Sequence, residues 1–392
     1  MQVTESEKRL CMLGPPPTVA EPVRPADGPL TVRDAVRAAE AELDGVLEAR
    51  LRQAREVDPV YARDVAERVA AFVRRGGKRL RTAFAWCGWR AAGGAGDPAA
   101  VLRTGAALEL VQTCALVHDD VMDGSPLRRG APAVHVDLAR MHRAAGMSGA
   151  AETFGASAAV LAGDLALAWA DDLLTETALG SPHGVRLHRE WQDMRGEMVA
   201  GQYRDLHAQA TGASGVEEAM RVATLKSALY TVERPLALGA VLAGADARTL
   251  DALRSAGRCA GLAFQLRDDL LGAFGDPAVT GKPADEDLRT RKPTCLLAVG
   301  LRTAEARGDE EAAAALAPGT GTGTDDMVRR MRDALERTGA RAVVESTVTE
   351  LAAAGLRHFA RTGAEASVLR EFTSLVERAS GVAAGRTAGE AA

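Results

Sequence analysis

Three observations predict an all-α protein folded as one domain. Apolar residues recur at three- to four-residue spacing in block after block. The core must be built from Ala, Leu and Val, because 392 residues include only 7 Phe, 4 Trp and 3 Tyr; such a composition favours packed helices over a β-sandwich. No run alternates apolar and polar residues between hairpin turns. With 47% hydrophobic and 26% charged residues, the chain is not mainly disordered.

The elements follow in order. Residues 1–28 hold five of the 16 prolines and little periodicity, and are expected to be a disordered leader outside the fold, with the domain running over 29–392. From Thr31 the pattern becomes helical, with Val32, Val36, Leu43, Val46, Leu47 and Leu51 on the spacing, and Thr31 is expected to cap that helix ahead of Asp34. Further helical blocks are expected at 59–74, 78–92, 98–122, 154–179, 183–210, 216–231, 234–244, 247–273, 293–304, 325–337 and 341–379. Pro318 to Thr324 is expected to be a flexible loop before the helix that opens at Asp325.

Lys and Arg number 48 against 53 Asp and Glu, for a formal charge of −5. No global basic field exists to hold nucleic acid, so any phosphate must be bound locally. The five scattered cysteines include no CxxC pair and fit neither a disulfide framework nor a zinc site, which points to a cytoplasmic setting. The longest uncharged helical-looking stretch, Pro235 to Ala245, falls short of the ~20 residues of a membrane span, so no stable membrane insertion is expected.

Two helix ends carry the chemistry. In the run from Val117 to Asp123, Asp119 and Asp123 are i and i+4 on one face, with Asp120 about 100° round. Carboxylates one turn apart repel unless a cation lies between them, and a hard all-oxygen set suits Mg²⁺; a solvated acidic helix end is the plainer alternative. The run from Phe264 to Gly272 closes a second apolar helix with Asp268 and Asp269. Two other acidic pairs, Asp171-Asp172 and Asp325-Asp326, are expected to be a solvated face and a helix cap. The first two pairs differ in their surroundings: Arg128, Arg129 and Gly130 after the first, then Gly281, Lys282 and Pro283 followed by Asp287 and Lys292 after the second. Upstream, Gly76-Gly77-Lys78-Arg79-Leu80-Arg81 sets Lys78 and Arg81 on one face at a helix start, an anion site with a forked donor. Lys226-Ser227 adds a cation and a hydroxyl. Together these clusters suggest two diphosphates, one held through Mg²⁺ and one by bare cations.

At this point the chain, from about residue 31 to 380, resembles the trans-isoprenyl diphosphate synthases of the polyprenyl synthetase family. The resemblance rests on GGKRLR (76–81), DDVMD (119–123) with RRG (128–130), LAGD (161–164), GQYRD (201–205), KS (226–227), FQLRDD (264–269) and GK (281–282). The versions KSALYTVERPL and FQLRDDLLGAFGDP look like those of bacterial geranylgeranyl diphosphate synthases. The resemblance implies helices around a central cavity, a homodimer, and Mg²⁺-dependent chain elongation of allylic diphosphates with isopentenyl diphosphate. It assigns Mg²⁺ to Asp119, Asp123 and Asp268; the allylic diphosphate to Arg128, Lys226 and Lys282; and isopentenyl diphosphate to Lys78, Arg81, Gln112 and Arg129. Ser227 and Gln265 match positions beside the allylic cation.

The chain departs from the family pattern at several places: Gly272 replaces an Asp at the fifth position of the second motif, Asp285 a Gly, Ser227 a Thr and Thr82 a Pro. Product length is read by counting turns back from Asp119. Ala115, Val111 and Leu108, with Cys114 beside them, descend beneath the metal face at about 5.4 Å per turn, roughly one isoprene unit. Ala115 and Cys114 are small, whereas Val111 and Leu108 block deeper, so geranylgeranyl diphosphate is the expected main product and longer or farnesyl products the alternatives. A terpene cyclase would not need the second diphosphate site, and a non-catalytic regulatory subunit would have lost more acidic residues.

Overall fold

The computed structural model describes residues 31–275, 285–319 and 323–382. The expected leader, 1–28, and Lys282 lie outside them. The described residues are helical almost throughout: α1 (Val32–Val57), α2 (Pro59–Tyr61), a π turn (Ala62–Ala66), α3 (Glu67–Arg74), α4 (Leu80–Ala91), α5 (Ala99–Met122), α6 (Val134–Ala144), α7 (Ala151–Leu179), α8 (Gly184–Thr211), α9 (Val216–Val222), a π segment (Ala223–Glu233), α10 (Arg234–Leu242), α11 (Ala247–Phe274), α12 (Glu286–Arg289), α13 (Cys295–Arg307), α14 (Glu310–Leu316), α15 (Asp325–Arg337), α16 (Ala340–Ala360) and α17 (Ala366–Ser380). The caps are those the side chains favour. Thr31 accepts from the Asp34 N–H at 3.2 Å, Asp246 from Thr249 at 2.8 Å and Thr324 from Met327 at 3.3 Å. Thr324 thus caps the helix that opens at Asp325, and Asp325-Asp326 form its acidic first turn.

α5 lies along α7 and also touches α1 and α4, while α11 lies along α16 and the π segment. One apolar core runs through these helices, with Leu108, Leu110 and Val111 of α5 fully buried.

Five details differ from the sequence expectation. α6 forms where no helical block is expected, although Val134, Leu138 and Met141 fall on helical spacing and Val134, Leu138, Ala139 and His142 are buried. α14 is an alanine run, EEAAAAL, in which no period can show. The block 341–379 is two helices, α16 and α17, separated by a turn at Gly363, whose φ is +72°. A two-residue antiparallel ladder pairs Leu127-Arg128 with Ala131-Pro132. α5 and α7 are each apolar and long enough to cross a membrane by length and composition, contrary to the expectation from Pro235–Ala245. α5 is mostly buried inside the bundle, which accounts for its hydropathy; α7 keeps part of its apolar surface exposed.

Candidate active site

The acidic end of α5 meets cations from three other elements. Asp119 Oδ1 accepts from Lys226 Nζ of the π segment at 3.1 Å and from Gln202 Nε2 of α8 at 3.1 Å, and Asp119 Oδ2 lies 3.4 Å from Arg128 Nη2. Lys226 also reaches Asp205 Oδ2 at 2.6 Å. Lys292 Nζ lies 3.5 Å from Asp123 Oδ2 and 3.7 Å from Asp205 Oδ2. Asp120, wholly buried a quarter-turn or so round the helix, accepts from Arg128 Nε at 2.8 Å. The short ladder explains how Arg128 gets there. It turns at Arg129 and Gly130, both at positive φ, so the two arginines diverge from one tight turn.

The charges set one another. Burial pushes the Asp119 carboxyl up, but Lys226, Lys292 and Arg128 outweigh it and hold it below the ordinary carboxylate range. The same balance, with Lys292 and Lys226, lowers Asp205. Burial alone would weaken the Lys292 ammonium, yet Asp205, Asp123, Asp287 and Asp119 raise its pKa instead.

Lys226 reaches this point because the backbones crowd together. A Cβ on Gly201 of α8 would fall onto the Lys226 backbone, and one on Gly261 of α11 onto that of Ala228. Glycine on both flanks lets the π segment settle between two helices and brings Lys226 to Asp119 and Asp205. π-turn geometry is uncommon and recurs at functional sites.

The second acidic end closes α11. Asp269 is buried, accepts from Gln265 Nε2 at 2.8 Å and from the Cys295 N–H at 3.3 Å, and is pushed up to about 8 by burial and by the charges of Asp287 and Asp268. Gly272, the departure from the acidic pattern, has a structural correlate: the Asp287 carboxylate lies against it, in space a Cβ would claim. Asp287 thus brings a carboxylate to the place where the motif lost one. Asp285 takes a left-handed backbone, φ +72°, and its carboxylate pairs with Arg332, which also donates to Ala273 O at 2.7 Å. A position where the family has Gly keeps its Gly-like backbone here, held by an ion pair.

A separate corner gathers cations. Lys78 Nζ lies 5.8 Å from the Phe264 ring centroid, Arg129 sits 5.2 Å over Phe72 beside Gly77, and Arg81 lies 4.0 Å over Tyr230. Arg81 donates to Thr231 Oγ1 at 2.9 Å, and the Tyr230 hydroxyl donates to Gln112 Oε1 at 2.8 Å. Burial, together with Arg79, Arg128 and Arg81, lowers the Arg129 pKa against the opposing pull of Glu109. Cationic groups crowded together away from water favour an anion among them.

The structure therefore brings Asp119, Asp123, Arg128 and Lys226 together, joins Gln112 to Arg81 through Tyr230, and sets Ser227 beside Lys226 on the π segment. Gln265 is engaged with Asp269. Of the chain-length positions, Leu108 and Val111 are fully buried, Cys114 is buried with its Sγ 3.7 Å from His118 Nδ1, and Ala115 is half-buried. Sequence reasoning left Gln202, Asp205, Tyr230, Asp287 and Lys292 out of the site. GQYRD carried a signal for the first two, and Asp287 and Lys292 stood among the surroundings that set the second acidic pair apart; Tyr230 enters only through packing. Among the described residues no three carboxylate, histidine or cysteine side chains already converge as a closed metal cage. The donors nonetheless fit Mg²⁺: Asp119 and Asp123 offer only carboxylate oxygens from one end of α5, and a bound ion's remaining positions would be left to water or phosphate.

A bundle of long helices whose acidic α5 end meets lysines and an arginine, with a second acidic helix end and a second cationic corner, fits a helical prenyltransferase. Residues 63–334 match the family described as Polyprenyl synthetase, and the chain belongs to that family. It is 36% identical over 250 residues to a geranylgeranyl diphosphate synthase of Mycobacterium tuberculosis, covering 64% of this chain and 65% of that one. It is 32% identical over 289 residues to a (2E,6E)-farnesyl diphosphate synthase of Mycobacterium bovis, covering 73% and 74%. The crystal structure of a geranylgeranyl pyrophosphate synthase from Corynebacterium glutamicum, complexed with isoprenyl diphosphate and magnesium, superposes with a TM-score of 0.84 at 38% identity, over 90% of this chain and 99% of that one.

Proposed function

We propose that the protein elongates allylic diphosphates with isopentenyl diphosphate in a Mg²⁺-dependent reaction whose main product is geranylgeranyl diphosphate. One observation carries the reading. Lys226 ties Asp119 to Asp205 and Lys292 ties Asp205 to Asp123, while Lys78, Arg81, Arg129 and Gln112 occupy a distinct corner. Two anion sites of different chemistry suit two diphosphates.

Asp119, Asp123 and Asp268 would hold Mg²⁺, which when bound neutralises charge on the allylic diphosphate. Arg128, Lys226 and Lys282 grip that diphosphate as its C–O bond breaks and the electron pair leaves with oxygen. Stabilising this departing charge is the main catalytic contribution. Ser227 and Gln265 turn side-chain dipoles toward the allylic cation. The alkene of isopentenyl diphosphate, held by Lys78, Arg81, Gln112 and Arg129, forms the new C–C bond. The released diphosphate takes the proton that restores the double bond.

Product length rests on Ala115 and Cys114 giving way to Val111 and Leu108, and farnesyl or longer products remain the second reading. A cyclase leaves the second cationic corner without purpose. The test is to incubate the protein with Mg²⁺, isopentenyl diphosphate and, separately, five-, ten- and fifteen-carbon allylic diphosphates, and to weigh the dephosphorylated alcohols. A twenty-carbon linear alcohol supports the reading. A cyclic hydrocarbon formed without isopentenyl diphosphate overturns it.

A homodimer joined through the outer faces of α7 and α8 accompanies this function. Leu161 (61% exposed), Leu179 (85%), Val160 and Phe154 of α7, with Val185, Val199 and Tyr203 (66%) of α8, are large apolar side chains exposed along these two helices.

A further inference from the structure

The GGKRLR turn carries three cations, of which the proposed function uses Lys78 and Arg81 and leaves Arg79 without a part. Arg79 does not face a ligand. Its side chain is 8% exposed and turns into the core, where Nη1 donates to Glu109 Oε2 at 2.8 Å, Nε to Glu40 Oε1 at 3.0 Å and Nη2 to Val73 O at 3.1 Å. Glu109, 7% exposed on α5, spends its other oxygen on the Thr82 hydroxyl at 3.1 Å. The backbone of Arg79 is left-handed, φ +48°, at the N-cap of α4. A side chain disfavours that conformation, so something must hold it, and the buried Glu109 carboxylate is in place to do so.

The consequence lies one residue to either side. With Arg79 folded inward at a left-handed position, the chain reverses its sense, and Lys78 and Arg81 take up their places over Phe264 and Tyr230. Arg81 keeps its Nε buried without a protein partner, a donor left over after Thr231 has taken Nη2. Glu109 stands three residues before Gln112 on α5, and its charge also acts on Arg129. Through Arg79, this carboxylate is tied to the turn that carries Lys78 and Arg81.

We propose that Arg79 and Glu109 form a positioning pair for the second substrate: they fix the turn that aims Lys78 and Arg81. The pair touches no substrate. This inference rests on the assignment of that corner to isopentenyl diphosphate.

The test is steady-state kinetics of Glu109→Gln and Arg79→Lys with each substrate varied in turn. The amide keeps the shape at 109 but turns an N–H toward one of two donors, and lysine keeps the charge at 79 but loses the fork. For Glu109→Gln, the KM for isopentenyl diphosphate should rise about tenfold or more while kcat stays within about threefold and the KM for the allylic diphosphate within about twofold, the signature of a lost ground-state site. Arg79→Lys should show the same selective rise, smaller in size, so that the pair can be judged even where the glutamine variant does not fold. A merely structural pair would raise both KM values together or lower kcat alone, and either result, or unchanged kinetics in both variants, overturns the proposal. Wild-type protein that makes no elongated product overturns the functional reading itself, a different failure from normal wild-type elongation with unaltered variants.

Discussion

Asp119 gathers more of the site than any other side chain, with Lys226, Gln202 and Arg128 all on its two oxygens. Asp119→Ala should lower elongation at least about a hundredfold, because the cations lose the carboxylate that organises them and the metal loses a ligand. The change opens no core cavity, so a thermal melt should stay close to that of the parent. Unchanged Mg²⁺-dependent turnover would remove Asp119 from the metal site. Asp269 makes a pH prediction. Its carboxyl is raised to about 8, so between about pH 4 and 8 the native state keeps a proton that the unfolded chain has released. Stability contributed this way is full below the unfolded value and is lost as the pH climbs through 8. Metal-free protein should therefore melt at a lower temperature at pH 8.5 than at pH 6, and Asp269→Asn should flatten the difference. A melt that rises with pH in the parent would contradict the burial argument. Asp119 and Asp123 were legible from their spacing alone, since i and i+4 share a helix face. Asp287 was not, because its approach to Gly272 depends on how the chain returns after α11.

At the scale of elements, the π segment is the piece that spacing could not foresee. Its residues read as ordinary helix, 216–231, and they do stay helical, but with a wider turn that carries Lys226, Ser227, Tyr230 and Thr231. Gly201 and Gly261 admit it, and their roles show only when α8 and α11 are set against it. Gly201→Ala should destabilise the protein by about 1–3 kcal/mol through overpacking against the Lys226 backbone. It should also lower kcat, since Lys226 would shift from Asp119 and Asp205. Denaturant unfolding and product assays check the two halves of that expectation, and a full-activity variant would show that the close approach is not what places Lys226. The missed α14 has a cause of another kind: an alanine run leaves no stripe to read, whereas α6 carries Val134, Leu138 and Met141 on helical spacing.

Over the whole molecule, the outer faces of α7 and α8 set the expectation for assembly. Leu161→Glu places a charge on an exposed apolar position of α7 and should halve the particle mass in sedimentation, with the helical content unchanged. A parent that already sediments as a monomer would refute the dimer. The sequence by itself determined the helical class, the family resemblance, and the two acidic and three basic clusters, because each is local: a periodicity, a cap, or residues within one or two turns. The tertiary structure decided which charges answer one another. Lys292 joins Asp123 to Asp205, Tyr230 joins Arg81 to Gln112, and Arg79 turns away from the ligand to Glu109, contacts between residues 30 to 169 positions apart. A carboxylate or guanidinium in a sequence carries only its charge. Its partners, its burial and hence its protonation are set by the helices that close around it.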